Sequence, residues 1–492
     1  MSSLHHHLSP SPLAPGLALT LDPTAPHLSR RVITTAPFPL RSTLLTELPL
    51  LIWSCSVPEF ASNLYNAFLT TPISSQALIL DFFHPDISGE TDYLSSAASA
   101  LSLSPTHPTV TLLHLLLIIA NFNAHSYTAT TTVPHSGLFH ASSKFEHSCH
   151  PNVHGSTTTS SMVYVTLSPL PAGTYVTSSY IGPSLHLPLR NRRSILEMTK
   201  YFHCECTRCV GFDHCRPLFC VSLKCNGVML MCGRTEAWVC GECECVVDSG
   251  SDVIEEREVK ESELIESLDE IVKSVDSAAT FDDKLLVSLT SLRPLAAPIL
   301  PPLHHFWCTF HAALSSLHAK AAATNATPQS ARKRHTIQSA TASFHAASWK
   351  NEINFNIANA TTKLPSPYST PNTKDGTLQL ERIAERIKKT YGRFEPCVGS
   401  VGEAYEAGIK FHEVGETGLA KILIEPYVEF IEHALMRERD VRMEEVWVII
   451  GGRKMEEEEE KKGIERVGAA EVGMRERDKS ENKNKIAKKR RR

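Results

Sequence analysis

The sequence has neither a long apolar run nor an excess of charge of one sign. Its longest apolar stretch, 112–120, is interrupted by His114 and is far shorter than the roughly 20 residues of a transmembrane helix. The net charge is −4 and the pI is about 6.7, so no overall field attracts the chain to nucleic acid or to an anionic membrane. The N-terminus lacks the charged region, apolar core and cleavage site of a secretory signal, and we expect none.

Cysteine is scarce in most of the chain and concentrated in one part of it. Ten of the fourteen cysteines lie between Cys204 and Cys245, whereas 58–125 contains none. Because no secretory route is expected, short spacings between cysteines favour metal binding over disulfides. We therefore interpret the chain as a cytosolic or nuclear zinc protein.

Changes in composition divide the chain into segments. A Ser/Pro/Leu-rich start and a tail with a glutamate run and a basic end are typical of disorder. The basic end fits a nuclear localisation signal and a solvated cytosolic tail equally well. The predicted segments are disorder at 1–27, a β-rich domain at 28–183 with a helical insert at about 55–125, a cysteine segment at 184–212, a zinc-ribbon-like module at 213–248, a helical region at 249–450 and a disordered tail at 451–492.

Two further predictions concern local structure. MVYVTLSPL and TYVTSSYIG alternate on either side of a Pro-Ala-Gly turn, which predicts a hairpin with Tyr180 near the end of its second strand. The Thr/Ala/Ser-rich stretch at 321–345 is expected to be an exposed linker.

Two short spacings predict a zinc ribbon. Cys220 and Cys225 are separated by four residues, and Cys240 and Cys243 by two, so each pair fits one knuckle that presents two thiolates. Alternative ligands, which remain open at this point, are Cys215, Cys232 and Cys245. Cys245 could equally be a free thiol beside the site.

Three motifs in order carry a resemblance to a known family. They are HSCHPN at 147–152, Gly173 followed seven residues later by Tyr180, and Phe202 followed by Cys204, Cys206 and Cys209. Over about residues 28–245 the chain resembles a SET-domain protein lysine methyltransferase. The closest type is the SMYD-like branch, whose SET domain is split by an insert, although the MYND finger is missing here. The resemblance implies an α+β fold: a β-rich SET fold with a helical insert, a zinc-binding post-SET segment and ribbon, and an α-helical C-terminal lobe.

The resemblance also implies a cofactor and the residues that contact it. The cofactor would be S-adenosyl-L-methionine (AdoMet). Tyr180 matches the hydroxyl-bearing tyrosine of the methyl-transfer channel, and Phe202 matches an aromatic residue that stacks on adenine. The implied AdoMet contacts are Arg30, Asn123, Glu146, His147, Tyr180 and Phe202. The implied ligands of the post-SET zinc are Cys149, Cys204, Cys206 and Cys209.

Three positions depart from the family pattern. Glu146 stands where the family has asparagine, and Ser29 and Arg31 stand where it has glycine. A carboxylate at Glu146 would face the carboxylate of the cofactor, and like charges at close range disfavour binding.

Two functions follow from these residues. The first is AdoMet-dependent N-methylation of a lysine in a protein substrate such as a histone. The alternative is a catalytically inactive SET-like zinc module that binds a protein partner. Direct nucleic-acid binding is disfavoured because the cysteine region is not strongly basic.

Overall fold

The computed structural model describes residues 14–21, 30–56, 59–85, 91–127, 134–157, 161–324, 329–358 and 398–425, the last with gaps at 414 and 416, together with residues 428 and 446. The predicted disordered tail and part of the predicted helical region, 359–397, lie outside these residues. None of the described helices is both long and apolar enough to cross a membrane.

The described residues form a mixed α and β architecture with five small sheets. Their orders are β1-β2, β3-β9-β8, β4-β6-β5, the parallel pair β7-β10, and β11-β12-β13-β14. The strands are β1 (Leu17–Leu21), β2 (Arg30–Thr34), β3 (Thr43–Glu47), β4 (Leu51–Ser54), β5 (His125–Tyr127), β6 (His135–Leu138), β7 (Glu146–His147), β8 (Val153–Thr157), β9 (Met162–Thr166), β10 (Thr177–Ser178), β11 (Leu218–Phe219), β12 (Val228–Met231), β13 (Trp238–Cys240) and β14 (Val246–Val247).

The first strand corrects the prediction for the N-terminus. β1 pairs antiparallel with β2, with Leu17 opposite Thr34, so the predicted disorder at 1–27 is wrong for Leu17–Leu21. Leu17 and Val32 belong to one buried apolar cluster. Burial of this apolar surface, together with the ladder of backbone hydrogen bonds, offsets the entropy cost of ordering the segment.

The predicted hairpin is also wrong. β9 pairs with β3 and β8, whereas β10 pairs in parallel with β7. After the turn the chain runs beside β2 instead, since the Val176 N–H donates to the Val32 carbonyl. Alternating apolar residues indicate a strand but do not identify its partner. The actual pairing sets His147 opposite Ser178.

Four helices lie among the described residues of the insert between β4 and β5, as its periodicity predicts. They are α1 (Phe60–Thr70), α2 (Ile73–Leu80), α3 (Thr91–Leu101) and α4 (Pro108–Asn123). α4 is the central helix of the insert: Leu113 and Leu116 lie with Trp53 and Leu64 in its apolar core. Trp53 and Leu51 belong to β4 and Leu138 to β6, so the insert shares this core with the β4-β6-β5 sheet.

Eight further helices follow β10 in the part of the chain that the structure describes. They are α5 (Leu189–Lys200), α6 (Thr207–Val210), α7 (Asp252–Ser277), α8 (Asp283–Ala296), α9 (His305–Ala323), α10 (Gln329–Ala358), α11 (Val398–Glu413) and α12 (Thr417–Ile424). The linker predicted at 321–345 is wrong, because α9 and α10 cover most of it. Small side chains let these two helices approach closely: the hydroxyls of Ser315 and Ser343 are 2.6 Å apart, and Ala340 is fully buried.

Candidate cofactor site and metal centres

Four cysteines from two distant parts of the chain meet in one group, which we name the core-tail cluster. Its members are Cys149, Cys204, Cys206 and Cys209, whose sulfurs all lie within 4.8 Å of one another. Cys149 Sγ is 4.0 Å from Cys204 Sγ although 55 residues separate them. Zn–S bonds of about 2.3 Å in a tetrahedron place sulfurs roughly 3.8 Å apart. The cluster could therefore hold a zinc ion.

Local structure explains how the core-tail cluster forms. Cys206 precedes α6, and its carbonyl accepts a hydrogen bond from the Cys209 N–H at 2.8 Å. This single helical turn brings two thiols to the same side of the chain. The Arg208 side chain then donates to the Cys149 carbonyl at 2.8 Å, which ties the loop to the end of β7.

A buried arginine, which also pairs with Asp213 at 3.8 Å, lies beside this cluster. A zinc ion with four thiolates carries a net negative charge, which is costly to bury without a partner. Arg192 is fully buried, and its Nη2 lies 3.7 Å from Cys209 Sγ. Hydrogen bonds from the thiols of Cys149 and Cys204 lower the pKa of Cys209 to about 7. The surroundings thus favour the thiolate, the form that binds zinc, at Cys209. Hydrogen bonds with the other three cysteines raise the pKa of Cys149, so zinc binding there would displace a proton.

The second group, the ribbon cluster, is built on the β11–β14 sheet. Its members are Cys220, Cys225, Cys240 and Cys243, again within 4.8 Å of one another. The sulfurs of Cys220 and Cys243 are 3.6 Å apart, and those of Cys225 and Cys240 are 3.7 Å apart. This group could also hold a zinc ion.

Backbone amides point at the sulfurs of the ribbon cluster. Cys220 accepts from the Ser222 N–H, Cys225 from the Gly227 N–H and Cys240 from the Glu242 N–H, at 3.3–3.4 Å. In each case the donor lies two residues after the cysteine. Such N–H···S bonds stabilise the thiolate and fit the knuckles expected from the spacing.

The alternative ligands lie outside both clusters. Cys245 is beside the ribbon cluster, with its sulfur 3.6 Å from that of Cys220. Cys215 is buried and accepts from Arg208 at 3.2 Å, and the Cys232 thiol faces the Val210 carbonyl.

A third group was not identified from the sequence. Glu261, His304 and His305 lie together in the interior, but Arg216 binds both oxygens of Glu261 at 2.6–3.0 Å. His304 uses both ring nitrogens, one toward Glu261 at 2.9 Å and one toward the Phe306 N–H. We therefore interpret this group as a buried ion-pair network that joins the ribbon to α7 and α9. No local spacing could have revealed it.

Opposing effects set the ionisation of this network. Burial raises the pKa of Glu261, but hydrogen bonds from His304 and Arg216 outweigh it and lower the pKa to about 2. The carboxylate therefore stays ionised inside the protein.

Three predicted site residues form an aromatic group beside the core-tail cluster. The ring centroids of His147 and Tyr180 are 5.3 Å apart, those of His147 and Phe202 5.9 Å, and those of Tyr180 and Phe202 6.4 Å. The Tyr180 N–H donates to His147 Nδ1 at 3.0 Å. The proton of the neutral ring must then sit on Nε2, which faces Cys149 Sγ at 3.3 Å. His147 thus connects the aromatic group to the cluster.

The Tyr180 hydroxyl is held by the backbone. It donates to the Phe145 carbonyl at 2.5 Å. Burial, and then the charge of Glu146, raise the pKa of Tyr180 above its usual value, so the hydroxyl stays protonated at neutral pH. The residue as a whole remains 40% exposed, which leaves part of its ring accessible.

The other predicted cofactor residues differ in their surroundings. Glu146 forms an ion pair with Arg31, with 2.6 Å between Nε and Oε1. Arg30 begins β2, opposite Leu21. Asn123 ends α4, where its amide nitrogen donates to the carbonyls of Phe83 and Ile119 at 2.7 and 2.9 Å. Both hydrogens of that amide are therefore engaged within the insert.

Comparison with known proteins supports one family over a limited segment. No protein-family model matches the chain. Two SET and MYND domain-containing proteins of Dictyostelium discoideum are similar to it. One is 37% identical over 73 residues, which is 15% of this chain and 17% of that protein. The other is 33% identical over 96 residues, or 18% and 24%.

These matches are short on both sides. The chain spans less than a quarter of the length of each of these relatives. At the level that the matches support, part of the chain is similar to SET and MYND domain-containing proteins.

Proposed function

We propose that this chain is an AdoMet-dependent protein-lysine N-methyltransferase of SET type. The observation that carries the proposal is the aromatic group of His147, Tyr180 and Phe202, assembled on the core-tail cluster. The three residues come from separate stretches of the sequence, and all three were expected at the cofactor site. The partial matches to SET-containing relatives support the same family.

The residues present fit the proposed cofactor. Phe202 offers an aromatic face for a nucleobase, and His147 lies beside it. Arg30, Asn123 and Glu146 are proposed to border the cofactor. Both amide hydrogens of Asn123 are engaged in the insert, so that residue would face the cofactor through its amide oxygen, and Glu146 would do so as the partner of Arg31. When bound, AdoMet would supply a methyl group on a sulfonium centre.

Tyr180 is suited to orienting the nucleophile rather than to removing its proton. Its own proton is given to the Phe145 carbonyl, so the lone pairs of the hydroxyl are available to accept an N–H from a target amine. A free lysine has a pKa of about 10.4 and must be neutral to attack. Aromatic surroundings next to a cation favour the neutral amine by desolvation and charge repulsion. The lone pair of an amine held in this way would point at the methyl group, in the geometry of an in-line displacement.

The core-tail cluster would hold the site together. Zinc bound to Cys149 and to the three cysteines after Phe202 would keep the Phe202 segment against His147. Loss of the metal would separate the two parts of the site. The ribbon cluster lies further along the chain and is proposed to have a structural role only.

Substitution of Tyr180 by phenylalanine tests the mechanism. We expect methylation to fall by about tenfold or more, because the oriented hydroxyl is lost, while AdoMet affinity stays within about threefold. The measurement is transfer from labelled AdoMet to protein in a lysate, alongside calorimetry with AdoMet. Tyr175→Phe removes a hydroxyl from the neighbouring strand region and is the control. Unchanged activity of Tyr180→Phe would show that the channel assignment is wrong.

The second candidate is a catalytically inactive SET-like module that binds a protein partner through its zinc-stabilised surface. The substitutions at Arg31 and Glu146 favour it. Calorimetry of the zinc-loaded protein with AdoMet, and with its demethylated product, separates the two functions. Absence of heat at millimolar ligand would favour the inactive module.

A further inference from the structure

Two residues that depart from the SET pattern are bonded to each other. Arg31 lies in β2 and Glu146 in β7, 115 residues apart in the sequence, and their side chains form an ion pair at 2.6 Å. The exposed fractions of the two side chains are 28% and 31%, so the pair borders solvent. The positive charge of Arg31 and the negative charge of Glu146 therefore balance each other.

The ion pair lies at the edge of the aromatic group. Glu146 precedes His147, and its charge contributes to the raised pKa of Tyr180. On the other side, the guanidinium of Arg31 is 5.4 Å from the centre of the Tyr175 ring. Backbone hydrogen bonds between β2 and 174–176 fix this arrangement, including the one from the Val176 N–H to the Val32 carbonyl.

We infer that Arg31 is a positioning residue of the proposed cofactor site: by neutralising Glu146, it allows a ligand that carries a carboxylate to bind beside His147. This inference rests on the proposed function. AdoMet has one carboxylate, and an unpaired Glu146 would repel it. With Arg31 in place the pair has no net charge. Glu146 is then compatible with an anionic group nearby.

The test compares two ligands that differ in that carboxylate. Calorimetry measures the affinity of the zinc-loaded full chain for AdoMet and for decarboxylated AdoMet, which keeps the nucleoside and the sulfonium. Arg31→Gln should lower the affinity for AdoMet by about tenfold or more, and the affinity for decarboxylated AdoMet by less than about twofold. Combining it with Glu146→Gln should restore AdoMet affinity to within about threefold of wild type.

Two further variants serve as controls. Arg31→Lys keeps the charge and should keep AdoMet affinity within about threefold. Arg190→Gln removes an exposed arginine that pairs with Glu258 at 3.5 Å, and should change neither affinity. Thermal unfolding of each variant shows whether the strand still folds. If Arg31→Gln does not fold, Glu146→Gln and Arg31→Lys carry the test.

Each contrary outcome has a distinct meaning. Equal losses for both ligands in Arg31→Gln would make the ion pair purely structural and overturn the inference. Weaker AdoMet binding in Glu146→Gln alone would make Glu146 a ligand contact, which also overturns it. If wild-type protein binds AdoMet and Arg31→Gln binds it equally well, only this inference fails. If wild-type protein binds neither ligand, the proposed function fails and the inference fails with it.

Discussion

The two cysteine clusters contain the same kind of candidate ligand, but their cysteines are close in the sequence in one cluster and far apart in the other. In the ribbon cluster, Cys220 and Cys243 are 23 residues apart and lie in the loops that follow β11 and β13 of one four-stranded sheet. In the core-tail cluster, Cys149 comes from the end of β7 and meets Cys204 across 55 residues. A metal in the ribbon would stabilise one module, whereas a metal in the core-tail cluster would join two parts of the proposed site.

The ribbon module nevertheless contacts the loop of the core-tail cluster through the backbone. Gly233, in the ribbon, packs against Cys209, and its N–H donates to the Gly211 carbonyl at 2.7 Å. Arg193 donates to the carbonyls of both Cys209 and Gly233, at 3.1 and 3.5 Å. Substitution of one cysteine in each cluster, and then of Gly233 at the contact, should separate the roles of the two clusters.

The largest effect is expected from Cys149→Ser. It leaves the three cysteines of the loop in place but removes the ligand from the core. We expect loss of one zinc per chain, a decrease in the unfolding free energy of more than about 5 kcal/mol, and loss of AdoMet binding. Metal analysis and calorimetry measure these changes. Full zinc content together with normal AdoMet binding would contradict the joining role of the cluster.

Cys240→Ser is expected to have a smaller effect because its cluster is local. The variant should lose one zinc and about 4 kcal/mol of stability, yet keep AdoMet affinity within about threefold of wild type. The same two measurements apply. If it abolishes AdoMet binding as Cys149→Ser does, the ribbon is part of the cofactor site and the contrast between the clusters disappears.

Glu261→Gln breaks the buried network that joins the ribbon to the helices. Arg216 would keep only Glu258, at 2.9 Å, and the loss of the Glu261 carboxylate should cost about 3 kcal/mol, with no change in zinc content. Denaturant unfolding measures the loss. Glu256→Gln is the matched control, since Glu256 pairs with Lys260 on the exposed face of α7 and should have no measurable effect.

The same network predicts a pH dependence. The folded pKa of Glu261, about 2, lies below the ordinary value of 4.5. Its contribution to stability is therefore complete above pH 4.5 and disappears as the pH falls toward 2. The stability difference between wild type and Glu261→Gln should narrow from about pH 6 to about pH 3. A constant difference over this range would contradict the assignment.

The smallest effect is expected from Gly233→Ala, which tests the contact between the ribbon module and the Cys209 backbone. A Cβ at this position would lie 2.0 Å from the Cys209 carbonyl oxygen, so the backbone must shift, at a cost of about 2 kcal/mol. Gly250→Ala places a Cβ in open space and is the control. Equal unfolding midpoints for the two variants would show that the contact is not important.

Local patterns in the sequence predicted a good part of the fold. The four described helices of the insert follow from their apolar periodicity, and the four cysteines that group in the ribbon cluster are those paired by their spacing. The hairpin and the linker at 321–345 were wrong for related reasons. Alternation does not choose a strand partner, and small residues that suggest an exposed segment also let helices such as α9 and α10 pack closely.

By itself, the sequence determined which residues are chemically able to bind metal and which segments have helical or strand periodicity, because both are properties of neighbouring residues. The tertiary structure decided three things: that Cys149 meets the loop at Cys204, that His147, Tyr180 and Phe202 share one place, and that Arg31 pairs with Glu146. Each depends on long-range packing, in particular on the parallel pairing of β7 with β10 and the contacts of β2 with 174–176. Residue spacing along the chain does not by itself specify such contacts, and the first two were expected only from the family resemblance.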